Sequence, residues 1–394
     1  MKAKILGIGL LTATVAAVVL SPSIRGNAAN PTDPSTGSEA KARVEVVFVL
    51  DTTGSMTGLI DAAKEKIWSI ATTMSQANPA PEISMGLVAY RDRGDAYVTK
   101  IVDLSKDLDS VYATLMDFAA DGGGDGPESV NRALYDAVHE MSWSQDPDSY
   151  RVVFLVGDAP PHMDYQDDRR YPEVAASAAA KGIVINTIQC GSSAETAAHW
   201  QRIASLGNGR HFLVEQAGGA VAIETPFDAD IAELSAQLDA TRLYYGSAEQ
   251  LEAMGRKVAA TDKLRELASA AAQARRGVFN ATASGAINMV GEHDLVDDVA
   301  SGRVDLEAVP AAELPPSIAG LPNEEQRRLV EETAVRRESL QQKITALAEQ
   351  RETFISERLE ELGGARDSLD QQIYETVRSQ GASKGLSYET GPKY

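Results

Sequence analysis

The segment Asp51-Thr-Thr-Gly-Ser55 sets one carboxylate and then two hydroxyls, those of Thr53 and Ser55, at alternate positions. Oxygen groups of this kind are what a hard divalent cation such as Mg²⁺ takes as ligands. Gly54 lets the backbone turn closely around an ion. The same residues also make a good helix N-cap cluster, because Asp, Thr and Ser all cap well. This loop alone does not choose between the two. The element that must present it is the run Val44-Glu-Val-Val-Phe-Val-Leu50 just before it. That run is short, β-branched and almost uninterrupted, as a strand buried on both faces should be. A ligand loop at the carboxyl end of such a strand lies at the mouth of an α/β sheet, where sites form.

From Arg43 onward strand and helix patterns alternate. Strands are expected at 44–50, 83–90, 97–103, 151–157, 183–189 and 210–214. Helices are expected near 58–76, 107–119, 129–141, 172–181, 195–206 and 227–240. The alternation predicts an α/β fold: a doubly wound, mostly parallel sheet with helices on both faces, followed by an α-helical C-terminal region. Residues 43–245 make a unit of ordinary domain size.

Asp51-x-Thr53-x-Ser55 resembles the D-x-S/T-x-S signature of von Willebrand factor type A domains, where it forms the metal-ion-dependent adhesion site. The resemblance covers roughly residues 43–245, about half the chain. What it implies for the other loops is specific. The second loop is Ala120-Asp-Gly-Gly-Gly-Asp-Gly-Pro-Glu128, with no threonine where many members of the family supply one. The family threonine usually stands five residues before an Ala-Leu pair, and counting back from Ala133-Leu134 lands on Glu128. Asp125-Gly-Pro-Glu128 also resembles the D-x-P-E of integrin β-subunit I-like domains. The resemblance therefore implies Glu128 as the second-loop ligand, with Asp125 as a secondary candidate. The third loop ends the strand-like Arg151-Val-Val-Phe-Leu-Val-Gly157 in Asp158, which resembles the last ligand. The implied set is Asp51, Thr53, Ser55, Glu128 and Asp158, around Mg²⁺ or Mn²⁺. Integrin β-subunits carry paired aspartates after the first motif; Thr57-Gly-Leu59 stands there in this chain, so no adjacent second site is expected. Three carboxylates over-neutralise one divalent ion, so at least one is expected to act through water, which Mg²⁺ retains readily.

The function that the resemblance implies is a metal-dependent protein-binding module, for adhesion or complex assembly, that captures an Asp or Glu of a protein partner. It is not expected to be an enzyme: the loops supply no obvious nucleophile, base and oxyanion arrangement. A rival reading is that Asp51-Thr-Thr-Gly-Ser55 resembles the D-x-T-G-T loop of haloacid-dehalogenase-like hydrolases. Asp51 would then be a phosphorylated nucleophile beside Mg²⁺. The spacing after Gly157-Asp158 fits that poorly, and the D-x-P-E loop has no role there. A third reading makes the protein a scaffold that acts mainly through its C-terminal helices. Around the site, His162 in Ala159-Pro-Pro-His-Met-Asp164 reads as a rim residue rather than a base. Asp167-Asp168 rim the same face, Tyr90 borders it, and Arg93-Gly-Asp95 is weak as a recognition tripeptide.

Residues 1–29 read as a signal peptide: Lys2 and Lys4, an apolar stretch from Ile5 to Leu20, then small residues. That stretch is shorter than a membrane-spanning helix needs. Export to the periplasm or the medium is expected, with no stable membrane span after cleavage. The formal charge is −20, and loss of residues 1–29, which hold three bases and no acid, takes it to about −23. That argues against nucleic acid and anionic membranes as partners. Cys190, the single cysteine, excludes an internal disulfide and reads as a small buried hydrophobe. Residues 30–42 read as a flexible linker. Residues 246–394 read as helical, with a Pro-rich stiff connector at 309–322 and a long helix near 324–362 capped by Asn323 with Gln326 reaching back. Packing on its own protein is favoured for these helices over an oligomer surface. The tail 379–394 is expected to be mobile.

Overall fold

A computed structural model describes residues 42–124, 126–214, 223–361, 369–389 and 391. The expected signal peptide, all of the expected linker except Ala42, Asp125 and the end of the expected long helix at 362 lie outside the described residues.

Six strands form one sheet in the order β3-β2-β1-β4-β5-β6. They are β1 (Arg43–Asp51), β2 (Glu82–Tyr90), β3 (Thr99–Ser105), β4 (Tyr150–Gly157), β5 (Ile183–Cys190) and β6 (Asn208–Val214). β3 runs antiparallel to β2 on one edge and the other pairings are parallel. Between the strands lie α1 (Leu59–Ser75), α2 (Leu108–Leu115), α3 (Val130–His139), α4 (Tyr171–Ala180) and α5 (Ala194–Leu206), with α6 (Asp228–Asp239) after β6. The sequence pattern placed every one of these elements, with ends differing by a few residues. It could do so because central parallel strands are buried on both faces and so read as continuous apolar runs.

The pleat sorts β1 between two cores. Val44, Val46, Phe48 and Leu50 join the layer under α1 and α2, whereas Val47 and Val49 join the layer under α3, α4 and α5. Asp51 follows Val49 by two residues, so its side chain belongs to the α3 side. The strand order reverses direction between β1 and β4, and the carboxyl ends of these two strands bound the crevice where α/β sheets bind ligands.

The C-terminal helices are α7 (Ala248–Leu267), α8 (Ala270–Asn280), α9 (Ala286–Val290), α10 (Leu295–Ala300), α11 (Asn323–Glu361) and α12 (Leu369–Ala382). α7 packs on α2, α8 on α1 and α6, α11 on α6, α8 and α10, and α12 on α1 and β6. The described residues belong to one compact unit. No helix among the described residues is long and apolar enough to cross a membrane.

Three local expectations need correction. The Pro-rich stretch is not a free connector: Leu314 and Ile318 are buried with Leu295, Leu306 and Val330 in a core of their own. At the start of α11 the Pro322 carbonyl accepts the N–H groups of Glu325 and Gln326, and the Gln326 amide donates to the carbonyls of Ile318 and Leu321. Gln326 thereby ties the helix to the Pro-rich layer. The tail is anchored as far as it is described. Leu386 and Tyr388 are buried, and Asn78 and Ser387 exchange both backbone hydrogen bonds at 2.8 and 3.0 Å. The tail's partners, Asn78 and the core of β1 and α1, lie far away in sequence, so no local pattern announced its anchoring.

Candidate metal centre

Asp51 ends β1 fully buried, and its Oδ1 accepts from the Thr53 N–H at 2.9 Å and the Thr53 hydroxyl at 2.6 Å. Thr53 Oγ1 lies 3.2 Å from Ser55 Oγ, and Ser55 donates to Asp158 Oδ1 at 3.0 Å. The first and third loops are therefore joined by one chain of oxygens: Asp51, Thr53, Ser55, Asp158. Thr52 turns away from it. Its hydroxyl donates to the Tyr90 carbonyl and lies 2.7 Å from the Tyr97 hydroxyl. The alternation D-x-T-x-S thus sets Asp51, Thr53 and Ser55 on one run of oxygens and turns Thr52 into the wall.

Backbone hydrogen bonds bring the second loop to the others. Gly54 N–H donates to the Gly122 carbonyl and Asp121 N–H to the Thr52 carbonyl, at 3.1 Å each. Gly123 has φ +77°, and a Cβ there would sit 3.2 Å from Thr53 Cβ and 3.3 Å from Glu128 Oε1. Only a glycine at this position adopts the backbone without strain and lets the loop pass between Thr53 and Glu128. Glu128 is fixed by the third loop, donating its N–H to the Pro160 carbonyl and accepting from His162 N–H. The Thr196 hydroxyl and the Trp200 indole, both on α5, hold the carbonyls of Asp158 and Ala159 from behind.

The structure thus brings Asp51, Thr53, Ser55, Glu128 and Asp158 to one place, while Asp125 lies outside the described residues. Among the described residues no three carboxylate, imidazole or thiol groups stand close enough to hold an ion by themselves. The candidate set is a mixed one that depends on its hydroxyls.

Electrostatics show what the set lacks. Asp51 Oδ2 and Glu128 Oε2 are buried and have no hydrogen-bond partner. Burial, with Asp158 nearby, pushes the Asp51 carboxyl up to about 7. Burial, then Asp51, Asp92, Asp95 and Asp158, push Glu128 up to about 9. Burial also raises Asp158. A buried carboxylate with no cation near it is costly, and a divalent ion would supply the missing charge and the missing partner for both orphaned oxygens. The residues present therefore fit a hard cation. Cys190 is buried close by, and burial holds its thiol up at about 12, as an inert core residue should be.

Sequence reasoning missed the supports of the second loop. Asp95 does not project as a recognition tripeptide would: its carboxylate accepts from the N–H of Gly123 at 3.2 and 3.1 Å and of Asp92 at 3.2 Å. Arg93 pairs with Asp167 and Asp168 and lies over the Tyr165 ring at 4.1 Å. Buried Asp92 accepts from the hydroxyls of Ser129 and Tyr165, at 2.8 Å each, and lies 3.2 Å from His162 Nε2. His162 stacks on Tyr165 with ring centroids 4.0 Å apart. Arg93-Gly-Asp95 was visible in the sequence, but its partner loop lies 28 residues away.

Comparison with known proteins agrees with this architecture. Residues 45–224 match the von Willebrand factor A domain family. The chain carries a von Willebrand factor A domain over that stretch. It is 30% identical over 120 residues to an alpha-protein kinase, vwkA, of Dictyostelium discoideum, a match covering 30% of this chain and 19% of that protein. Among solved structures it is similar to the SpRpn10 VWA domain, with 14% identity, a TM-score of 0.35 and coverage of 47% of this chain and 96% of that one. A structure of proximal thread matrix protein 1 from the mussel byssus, described with a zinc-occupied MIDAS motif, is 16% identical with a TM-score of 0.35, covering 44% and 42% of the two chains. The chain spans less than a fifth of the kinase and less than half of the byssus protein.

Proposed function

We propose that this protein is a metal-dependent protein-binding module, for adhesion or complex assembly. Mg²⁺ or Mn²⁺ would be held by Asp51, Thr53, Ser55, Glu128 and Asp158, and the ion would capture an Asp or Glu side chain of a protein partner. The observation that carries this reading is the pair of buried, partnerless carboxylate oxygens on Asp51 and Glu128, from two loops that converge beside the Thr53 and Ser55 hydroxyls. Bound there, the ion supplies a Lewis-acidic position for an incoming carboxylate. The chain's own residues orient the ligands: Thr53 fixes Asp51, Ser55 fixes Asp158, and the Pro160 and His162 backbone fixes Glu128.

A protein-interaction role without catalysis is the reading the domain family supports. The phosphoaspartate alternative loses ground because Asp51 shares its pocket with Glu128 and the glycine loop, which that chemistry does not use. Export to the periplasm or medium, inferred from residues 1–29, and oligomerisation through the C-terminal helices belong to the same proposal.

Calorimetry with Mg²⁺ and Mn²⁺, on the protein beside Asp51→Ala and Glu128→Ala, tests it. Binding by the parent and loss in both variants is the expected result. Equal binding by Glu128→Ala would move the site elsewhere. Turnover of phosphate esters with Asp51 intact would return the enzyme reading.

A further inference from the structure

A third buried oxygen beside the candidate ion site has no partner: the hydroxyl of Tyr90. Tyr90 ends β2, directly across the ladder from Asp51, and it is fully buried. In a parallel pair, residues in register face the same side, so its ring runs under Asp51 on the α3 side of the sheet. The position of a Cβ on Gly157 locates the end of that ring. It would lie 2.5 Å from the Tyr90 hydroxyl, 2.8 Å from Asp51 Cβ and 3.0 Å from Asp51 Oδ2. Tyr90 therefore spans beneath β1 to reach β4, and its hydroxyl and the partnerless oxygen of Asp51 flank one spot. Gly157 keeps that spot open; a methyl there would press on both oxygens.

A buried tyrosine hydroxyl normally finds a partner in its own protein. Phenylalanine would fill the same space in the strand core without a polar atom to satisfy. A hydroxyl at this position gains a partner only when something polar stands beside Asp51. Burial and the negative groups Asp51, Glu128 and Asp158 hold the hydroxyl well above its ordinary value, so it remains a neutral donor at any working pH. A neutral phenolic hydroxyl can accept a hydrogen bond from a cation-bound water and offer its own proton to Asp51, fixing both without adding charge to a site that already holds three carboxylates.

We propose that Tyr90 is a positioning residue of the ion site, whose hydroxyl hydrogen-bonds a water of the ion's shell beside Asp51 Oδ2. The inference rests on the metal-binding reading above and adds a residue that the D-x-T-x-S pattern does not contain. Mg²⁺ keeps several of its waters when bound, so a buried outer partner of this kind favours the hydrated ion.

Tyr90→Phe tests it, with Tyr97→Phe as the contrast, because the Tyr97 hydroxyl already has a protein partner in Thr52. Mg²⁺ affinity by calorimetry and the unfolding temperature in EDTA are both read. Tyr90→Phe is expected to weaken Mg²⁺ binding by roughly 10- to 100-fold, the usual effect of losing an outer-shell partner. Its unfolding temperature in EDTA stays level or rises, because a partnerless buried hydroxyl is removed. Tyr97→Phe is expected to show the reverse: a lower unfolding temperature with Mg²⁺ affinity kept. Unchanged Mg²⁺ affinity in Tyr90→Phe overturns the proposal, and so does an equal loss in Tyr97→Phe. A parent protein that binds neither Mg²⁺ nor Mn²⁺ is a distinct result and sinks the ion site itself.

Discussion

Asp51 and Asp109 are both fully buried aspartates, and the chain treats them in opposite ways. Asp109, in the first turn of α2, receives two hydrogen bonds from Arg276 at 2.6 and 2.7 Å, with Lys257, Thr261 and Asn288 around it. Burial alone would raise its carboxyl, but Arg276 and Lys257 hold it far below the usual range. Arg276 in turn bridges to Asp239 on α6. Here the sequence provides the counter-charges, Lys257 on α7 and Arg276 on α8, with Asp239 on α6 as the second acid for Arg276. Around Asp51 the described residues provide hydroxyls and further carboxylates, and no ion pair among them neutralises it. Two aspartates of equal burial thus differ in whether the described residues pair their charge. The junction ties α7 and α8 to α2, and its charges are spent on that task.

The largest expected effect falls on the paired side. Arg276→Met leaves Asp109 and Asp239 buried without their shared partner, and breaking a buried pair in this way costs about 3–5 kcal/mol. Denaturant unfolding should show that loss equally with Mg²⁺ and with EDTA; a loss that appears only with the ion would erase the contrast. On the unpaired side, Asp51→Ala should abolish Mg²⁺ binding while leaving stability in EDTA unchanged or higher, because an uncompensated carboxylate is removed.

The pH dependence should also split. The carboxyls of Asp51 and Glu128, pushed up to about 7 and about 9, bind protons more tightly folded than unfolded. In EDTA they therefore lower stability progressively as pH rises from about 4, the ordinary carboxylate value, toward 9. Mg²⁺ competes with those protons, so its affinity should rise over the same window. Asp109, whose folded value is depressed, contributes stability that is present at neutral pH and is lost only in strong acid. Unfolding temperatures across pH 4–9, with EDTA and with Mg²⁺, would test the first statement, and extending the EDTA series into strong acid would test the second; a flat profile from pH 4 to 9 in EDTA would contradict the reading of Asp51 and Glu128. The smallest effect is that of Gly123→Ala, about 1 kcal/mol for the left-handed backbone. It should weaken Mg²⁺ binding as well, since its methyl presses on Thr53 and Glu128.

The same contrast explains what could be read from sequence. The sheet was legible because each central strand carries its own burial in its composition. The Asp51 loop was legible because its oxygens lie within five residues. Glu128 and Asp158 became legible only through a family resemblance, since nothing local says that their loops meet. The Asp95 clasp on Gly123 and the salt-bridged junction at Asp109 were not legible. Each is made between segments whose proximity exists only after folding. Asp109 reads in sequence as one more acidic residue at a helix start, and its fate is decided by an arginine 167 positions away.

The pairing of Asn78 with Ser387 also has a temporal side. The same closing segment joins Gln380 to Asn186 through two side-chain amide hydrogen bonds and to the Tyr150 hydroxyl. It puts Leu386 and Tyr388 into the core that β1 and α1 begin. A core wall delivered from 230 positions beyond Tyr150 stays open until that segment has been made. Contacts of such long sequence separation form late and slowly. Until then the polypeptide presents an open apolar face, the condition under which chaperones engage.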